Sequence, residues 1–402
     1  MIVISDKHDC CGCAACVNAC PKQCISMKED SKGFLYPQVD SVLCVDCGLC
    51  EKVCPVLWQR EQRKPLYVYA AFTLNEQIRR TSSSGGVFSV LAESVIDEGG
   101  VVFGAKFDEN WEVKHDYVET KGGLEHFRSS KYLQSRIGSS YLKVRDFLKE
   151  GRKVLFSGTA CQIAGLKHFL RKDYENLLTV EVVCHGVPSP LVWRNYLRIV
   201  LRPKGVAGKN TVLLSLKDVP VITGISFREK RTGWKKYGFV VRGNLASKAG
   251  KNSVLSSVYA EESDLIRESK SDNYYMQVFL HDLDLRPSCY KCPSKEGKSQ
   301  SDIALADFWC IWNIQPELDD DKGVSAILIN SNKGEQFVRH LDIQLFEQKY
   351  SDFVKGNPAY VGSAKETLYS KVFWALNKFS LYKGVKMLIF VKRVIDKLMR
   401  IV

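Results

Sequence analysis

Nowhere in the 402 residues is there an uninterrupted apolar run near the ~18 that a membrane-spanning helix requires, so such a helix is excluded. The opening residues, MIVISDKHDCCG, lack both a basic leader and a long apolar core, and no secretory signal is expected. Disorder and fibrous repetition are excluded too, because 45% of the residues are apolar and 26% charged. At ~150 residues per domain there is room for two or three domains and a sizeable core. Cysteine, in contrast, is abundant, at fifteen residues. Without any sign of an oxidising compartment, metal or redox chemistry explains them better than disulfides.

Ten of the fifteen precede Pro55, and eight of those form two copies of one pattern. Cys10-x2-Cys13-x2-Cys16-x3-Cys20-Pro21 recurs as Cys44-x2-Cys47-x2-Cys50-x3-Cys54-Pro55, displaced by 34 residues throughout. This is the run of a bacterial two-cluster ferredoxin. Three thiolates grip a cubane from one tight turn, and the fourth, on the helix leaving that turn, completes the other cluster. Cys10, Cys13, Cys16 and Cys54 are therefore expected to hold one [4Fe–4S] cluster, and Cys20, Cys44, Cys47 and Cys50 a second. Pro21 and Pro55 turn the chain after each crossed ligand. Zinc competes for CxxC pairs, but structural zinc favours tetrahedral pairs over triplets with a distant fourth thiol. Cys11 and Cys24 stand outside the pattern and read as small buried thiols. A module of this kind, spanning 1–58, conducts single electrons, so any substrate is left to the rest of the chain.

A polar stretch, QREQRKPL, reads as a linker and YVYAAFTL as a strand. Thr81-Ser82-Ser83-Ser84-Gly85-Gly86 then opens an apolar-periodic helix, VFSVLAESVIDEG. Such a turn either presents amides and hydroxyls to an anion or simply caps its helix. VVFGAKF is a further strand, and DYVET, after His115, has an exposed composition. The segment 129–135 (SSKYLQS) gathers hydrogen-bonding groups around one cation, Lys131. KVLFSGTACQIAGLKHFL is the clearest strand–helix unit, with a strand at 154–156 and a helix from near Gln162. LLTVEVVCHGVPSP repeats the arrangement and puts Cys184, His185 and Gly186 at a strand's carboxyl end. Ligands of open α/β sheets sit beyond such ends, so Cys161, Cys184 and His185 mark the expected crevice. Residues 225–228 and 237–241 read as strands, and 244–273 as a charged, serine-rich loop. Cys289 and Cys292 form a CxxC that suits a redox dithiol, half a zinc site or two cluster ligands. With Cys161 and Cys184 they make four, the number that a third [4Fe–4S] cluster needs. Cys310, flanked by Trp309 and Trp312, reads as a packed thiol.

Taken in order, the ferredoxin run, TSSSGGVFS, SSKYLQS, FSGTACQIAGLKHFL, VEVVCHGVPSP, LRPSCYKCP and SDIALADFW carry a resemblance. Over residues 1–345 the chain resembles the beta subunit of the coenzyme F-420 hydrogenase and dehydrogenase family, most nearly its bacterial, polysaccharide-cluster members. Enzymes that reduce chlorophyllide side chains look similar, so no single substrate follows. The resemblance implies an α/β fold with a mixed sheet, divided as 66–150 and 151–345, that binds FAD. By position, Ser83, Ser84, Gly85, Gly86 and Lys131 would contact FAD, and Gly158, Thr159, Cys161 and Gln162 would lie near the flavin. The later cysteines would hold its proximal cluster. His185 is the candidate proton donor, with a purely turn-holding role as the alternative. Two departures stand out: the family usually has proline at Ala160 and glycine at Cys310.

The expected function is an iron–sulfur flavoprotein oxidoreductase that converts between one-electron and hydride-level partners. The competing reading is a non-catalytic relay subunit that docks to a partner reductase or transferase. Net charge is +13, of which residues 371–402 contribute +7, while segment 1–57 carries −2. Leu388, Val391, Ile395, Leu398 and Val402 form an apolar stripe with lysines largely off it. Residues 346–402 are thus expected to be a basic amphipathic tail that docks to a membrane surface, to a partner or to its own protein. A cytoplasmic location, a ferredoxin-like electron donor and no specific nucleic acid complete the expectation; oligomeric state is not legible.

Overall fold

Strands buried along nearly their whole length, on both faces, build the centre of the molecule. The structure, a computed structural model, describes residues 1–201, 221–244 and 262–377. Strands β1 (Ile25–Glu29) and β2 (Leu35–Val39) form the antiparallel ribbon of the N-terminal module. Then follow β3 (Tyr67–Phe72), β4 (Val101–Phe107), β5 (Val113–Val118), β6 (Val154–Thr159) and β7 (Leu177–Val182). A separate antiparallel sheet comprises β8 (Val221–Glu229), β9 (Gly238–Asn244) and β10 (Ser263–Ser269). Strands β11 (Ile303–Asp307), β12 (Ser325–Ile329) and β13 (Gln344–Glu347) return to the first body of strands.

The large sheet has the order β13-β3-β12-β11-β7-β6-β4-β5. Its middle, β11, β7, β6 and β4, is parallel, and both flanks are antiparallel. In β6, Val154 and Phe156 point to the face covered by helices Ser140–Lys149 and Ala160–Leu170. Leu155 points to the other face, under helix Val87–Asp97. A parallel strand covered on both sides reads as a continuous apolar run, which is why this unit was the clearest in the sequence. Each such buried side chain contributes roughly 1.5–3 kcal/mol. Strands from 66–150 and from 151–345 interleave in this one sheet, so the two parts form a single body.

Several expectations need correction. Residues 116–118 of the exposed-looking DYVET belong to β5 and are half-buried, and His115 before them is buried with its ring stacked on Phe156 at 5.4 Å, because β5 pairs with β4 over its full length. The segment 244–273 contains β10, whose backbone pairs with β9 and whose Leu265 and Ile266 pack on the apolar core; residues 245–261 lie outside the described residues. A tail starting at 346 would cut β13, which pairs with β3. Phe353, Tyr360 and Phe373 beyond it are buried, so packing holds this stretch to the body, while the basic stripe at 386–402 lies outside the described residues. Among the described residues no helix is long and apolar enough to cross a membrane.

The N-terminal module shares its core with the body. Cys13, Ala15 and Val53 pack in one cluster with Ile163 and Leu166. Asn18 Nδ2 donates to Gly138 O at 2.9 Å, and Ser189 Oγ to Lys32 O at 2.5 Å.

Candidate functional site

Both cysteine loops have left-handed backbone at equivalent positions, Gly12 (φ 71°) and Ala14 (φ 57°) in the first, Asp46 (φ 47°) and Gly48 (φ 68°) in the second. Such alternation turns successive amides inward and makes the concavity in which Fe–S sites are held. One small void is lined by Cys10, Cys13, Cys16 and Cys54. Another is lined by Cys20, Cys44, Cys47 and Cys50. The structure therefore brings together the two crossed sets. The spare thiols sit in the same walls, Cys11 in the first and Cys24 in the second.

Four later cysteines meet at the carboxyl ends of the parallel strands. Register sets Thr159 level with Val182, and Val182 level with Leu305. Cys161 follows in the first turn of helix Ala160–Leu170, and Cys184 just past β7. Cys289 and Cys292 arrive on the turn at Pro287–Lys291, where Val187 N donates to Cys289 Sγ at 3.4 Å. All four line one void, together with Cys11, Glu181, His185 and Lys295. An all-thiol donor set of this kind fits a sulfur-ligated cluster. Lys295 Nζ donates to Cys184 O and Ala359 O, both at 2.5 Å. Burial pushes the Glu181 carboxyl up to about 7, although it accepts from Ser299 and Ser301. Sequence reasoning missed Glu181; the lone acid inside LLTVEVV was its signal.

Cys310 takes no part in this set. It stands at φ 68°, a conformation that favours glycine, which accounts for the residue the family usually has there. Ala160 is the first residue of its helix, the place proline suits best.

A large cavity of 690 Å³ opens beside the third thiol set. Ser83, Ser84, Gly86, Lys131, Gly158, Thr159, Gln162 and His185 line it. Gly85 does not: an added Cβ would lie 2.4 Å from Ala71 O, so this glycine lets the turn press against β3. The serine hydroxyls are spent locally, Ser83 Oγ on Ser130 Oγ (2.9 Å) and Ser84 Oγ on Val324 O (2.8 Å). Gly86 caps helix Val87–Asp97 with no side-chain bond to its first amides. Thr159 and Gln162 cap their own helix, Thr159 N donating to Gln162 Oε1 at 3.0 Å.

Lys131 is half-buried, and the desolvation of its amine pushes it down to about 7; Nζ donates to the carbonyls of Arg128 (3.0 Å) and Ser129 (3.3 Å). An anion in the cavity would restore its charge. Arg228, also buried, holds Asp307 through Nη1 (2.8 Å) and Nη2 (3.1 Å), while its Nε has no partner. A volume in the usual ~300–1,000 Å³ range of ligand pockets, an uncapped helix start, buried Arg228 and half-buried Lys131 fit an anionic dinucleotide such as FAD. Neither Arg228 nor Asp307 was singled out in the sequence. His185 lies on the wall common to the large cavity and the third thiol void. Its Nε2 is 2.5 Å from Asp282 Oδ1, and its ring stands edge-on to Phe279.

Comparison with known proteins adds two family matches. Residues 151–348 match the family of the C-terminal part of the coenzyme F420 hydrogenase/dehydrogenase beta subunit, and residues 9–57 match the 4Fe-4S dicluster domain. Among curated proteins the chain is 24% identical over 191 residues to a subunit of the F(420)H(2) dehydrogenase of Methanosarcina mazei, covering 45% of this chain and 53% of that one. It thus spans about half the length of that relative. The module is 46% identical over 43 residues to the 7Fe ferredoxin of Hydrogenibacillus schlegelii, 11% of this chain and 49% of that one. Among solved structures, a chain of the F420-reducing [NiFe] hydrogenase complex of Methanosarcina barkeri aligns at 13% identity and TM-score 0.43, over 74% of this chain and 91% of that one.

Proposed function

This chain belongs to the family of coenzyme F420 hydrogenase/dehydrogenase beta subunits, and from that premise we propose that it relays single electrons between a protein partner and FAD held in the 690 Å³ cavity. The observation that carries the proposal is contiguity. The first ferredoxin void and the third thiol void share Cys11 and Gly12 as wall. The third void and the large cavity share Thr159, Gln162, Cys184 and His185. Thiols thus pave one route from the module to the cavity.

In this reading the two crossed sets of the module hold one [4Fe–4S] cluster each, and Cys161, Cys184, Cys289 and Cys292 a third. FAD, when bound, exchanges electrons singly on one side and as hydride on the other. Lys131 and the amides that begin helix Val87–Asp97 would hold its diphosphate. His185, anchored by Asp282 through Nε2, keeps Nδ1 for proton exchange.

Anaerobic purification with iron, sulfide and flavin quantification tests this. About twelve irons and one flavin per chain are expected. Zinc in place of iron with no yellow chromophore overturns the reading. Lys131→Met should lose flavin and keep iron. Flavin retained at full occupancy in that variant would remove Lys131 from the site.

A non-catalytic relay role has its own supporting observation: Val42, Leu43 and Val45 are exposed around Cys44 and Cys47, an apolar rim suited to docking. Turnover with an artificial donor separates the readings, since a pure relay would bind no flavin and reduce nothing alone.

A further inference from the structure

The described residues bury three arginines: Arg79, Arg228 and Arg286. Two have a carboxylate. Arg79 takes Asp320 through two nitrogens (2.8 and 2.7 Å), and Arg228 takes Asp307. Arg286, the most buried at 0% exposure, has no carboxylate within 4.0 Å among the described residues. Instead Nε donates to Cys10 O (2.8 Å), Nη2 to Leu35 O (2.9 Å) and Nη1 to Gln134 Oε1 (3.1 Å). The remaining contact is Nη2 to Cys10 Sγ at 3.6 Å. Tyr36 covers the guanidinium at 4.2 Å from its ring centre. Gly12 makes room, because a Cβ there would stand 2.9 Å from Nη1.

An isolated buried charge costs several kcal/mol unless an opposite charge offsets it. Among the described residues no carboxylate supplies one here. A cubane with four thiolate ligands carries net negative charge, and one more unit when reduced. We propose that the first ferredoxin cluster is the counter-ion of Arg286, and that the guanidinium holds this cluster's reduction potential above the value it would have without that charge. The electrostatic reason is direct: a fixed cation bonded to a ligand sulfur favours the more negative, reduced state, and net charge and hydrogen bonds to sulfur are what set such potentials. The second loop has no buried guanidinium: among the described residues its void is lined by exposed Lys22 and by Met1, whose ammonium is paired with Asp46 and Glu51, so a change at Arg286 should not reach the second cluster directly. Arg286 is a positioning and tuning residue, and the inference rests on the ligand assignment proposed above.

The test is an EPR-monitored redox titration of the purified holoprotein, with iron counted in each sample. Arg286→Gln should lower the potential of one ferredoxin cluster so that reduction is at least tenfold less favourable, about 59 mV for one electron, and leave the other unmoved. Arg286→Lys keeps the charge but loses the fork, and should shift the same cluster by less. If only the lysine variant accumulates, that smaller shift still decides. Unmoved potentials at full iron content, or equal shifts of both clusters, overturn the role of Arg286. Absence of the module's iron from the wild type overturns the cluster assignment instead, so the two failures are distinguishable.

Discussion

The two cysteine loops of the N-terminal module share spacing and backbone, yet their surroundings are opposite. In the first, Cys11, Cys13 and Cys16 are buried, and helix Ala160–Leu170 lies so close that an added Cβ at Gly165 would be 3.0 Å from Cys13 Sγ. In the second, Cys47 is exposed, and Val42 reaches 90% exposure. One motif, used twice, thus places one metal site against the body and the other against solvent. Exposure and nearby charge set cluster potentials, so identical ligands need not give identical clusters. The difference gives the relay an outside and an inside.

Ligand deletion separates the loops most strongly. Cys13→Ser and Cys47→Ser should each lose about four irons of the module. Only the first should also lower thermal stability markedly, because only its thiol is packed into a core shared with the body. Equal loss of melting temperature in both variants would remove the distinction.

The inner side also contains a titratable test of burial. His115 is pushed down to about 4 by burial, with Nδ1 at 2.7 Å from Ser135 Oγ and Nε2 at 3.0 Å from Ser157 O. An unfolded histidine protonates near 6.5. Between pH 6.5 and 4 the unfolded chain therefore holds a proton that the folded one refuses, and stability falls as pH falls through that window. Above pH 6.5 the contribution is complete. His115→Gln should remove a loss of about 3 kcal/mol at pH 4, read as the difference between the two denaturation profiles. Parallel profiles would place a charged histidine in the fold.

Next in size is Gly165→Ala. Its methyl would meet Cys13 Cβ at 2.9 Å and Tyr141 OH at 3.0 Å. Overpacking of this kind costs about 1–3 kcal/mol. An unchanged melting temperature would mean that the module does not sit on the body as described.

How far the sequence disclosed this arrangement depended on whether a residue's task leaves a local trace. The doubled spacing did, because three ligands in one turn demand the same backbone twice, and the crossed sets follow from it. The strand–helix unit around Cys161 did too, since burial on both faces leaves an uninterrupted apolar run. Arg286 and Arg228 left none: an arginine reads as surface until the fold encloses it. Gly85 was misleading, because a glycine that permits close packing looks the same in sequence as one that approaches a ligand. Strand β10 was hard to read for another reason: of its seven residues only Leu265 and Ile266 are apolar, too few to mark a strand within a charged stretch.

The smallest effect on stability should come from the outer rim, where the comparison is functional. Val42 touches little, so Val42→Ser should stay within about 0.5 kcal/mol of the wild type. Reduction by dithionite, which needs no docking surface, should keep its rate. Reduction by a protein donor such as a ferredoxin should slow, because apolar contact at the rim brings the donor to the exposed cluster. The matching change on the inner side, at buried Ile2, should do the reverse and cost stability through lost packing between the two thiol sets. If Val42→Ser slows both reductants equally, the rim acts on the cluster rather than on the partner, and electrons enter elsewhere.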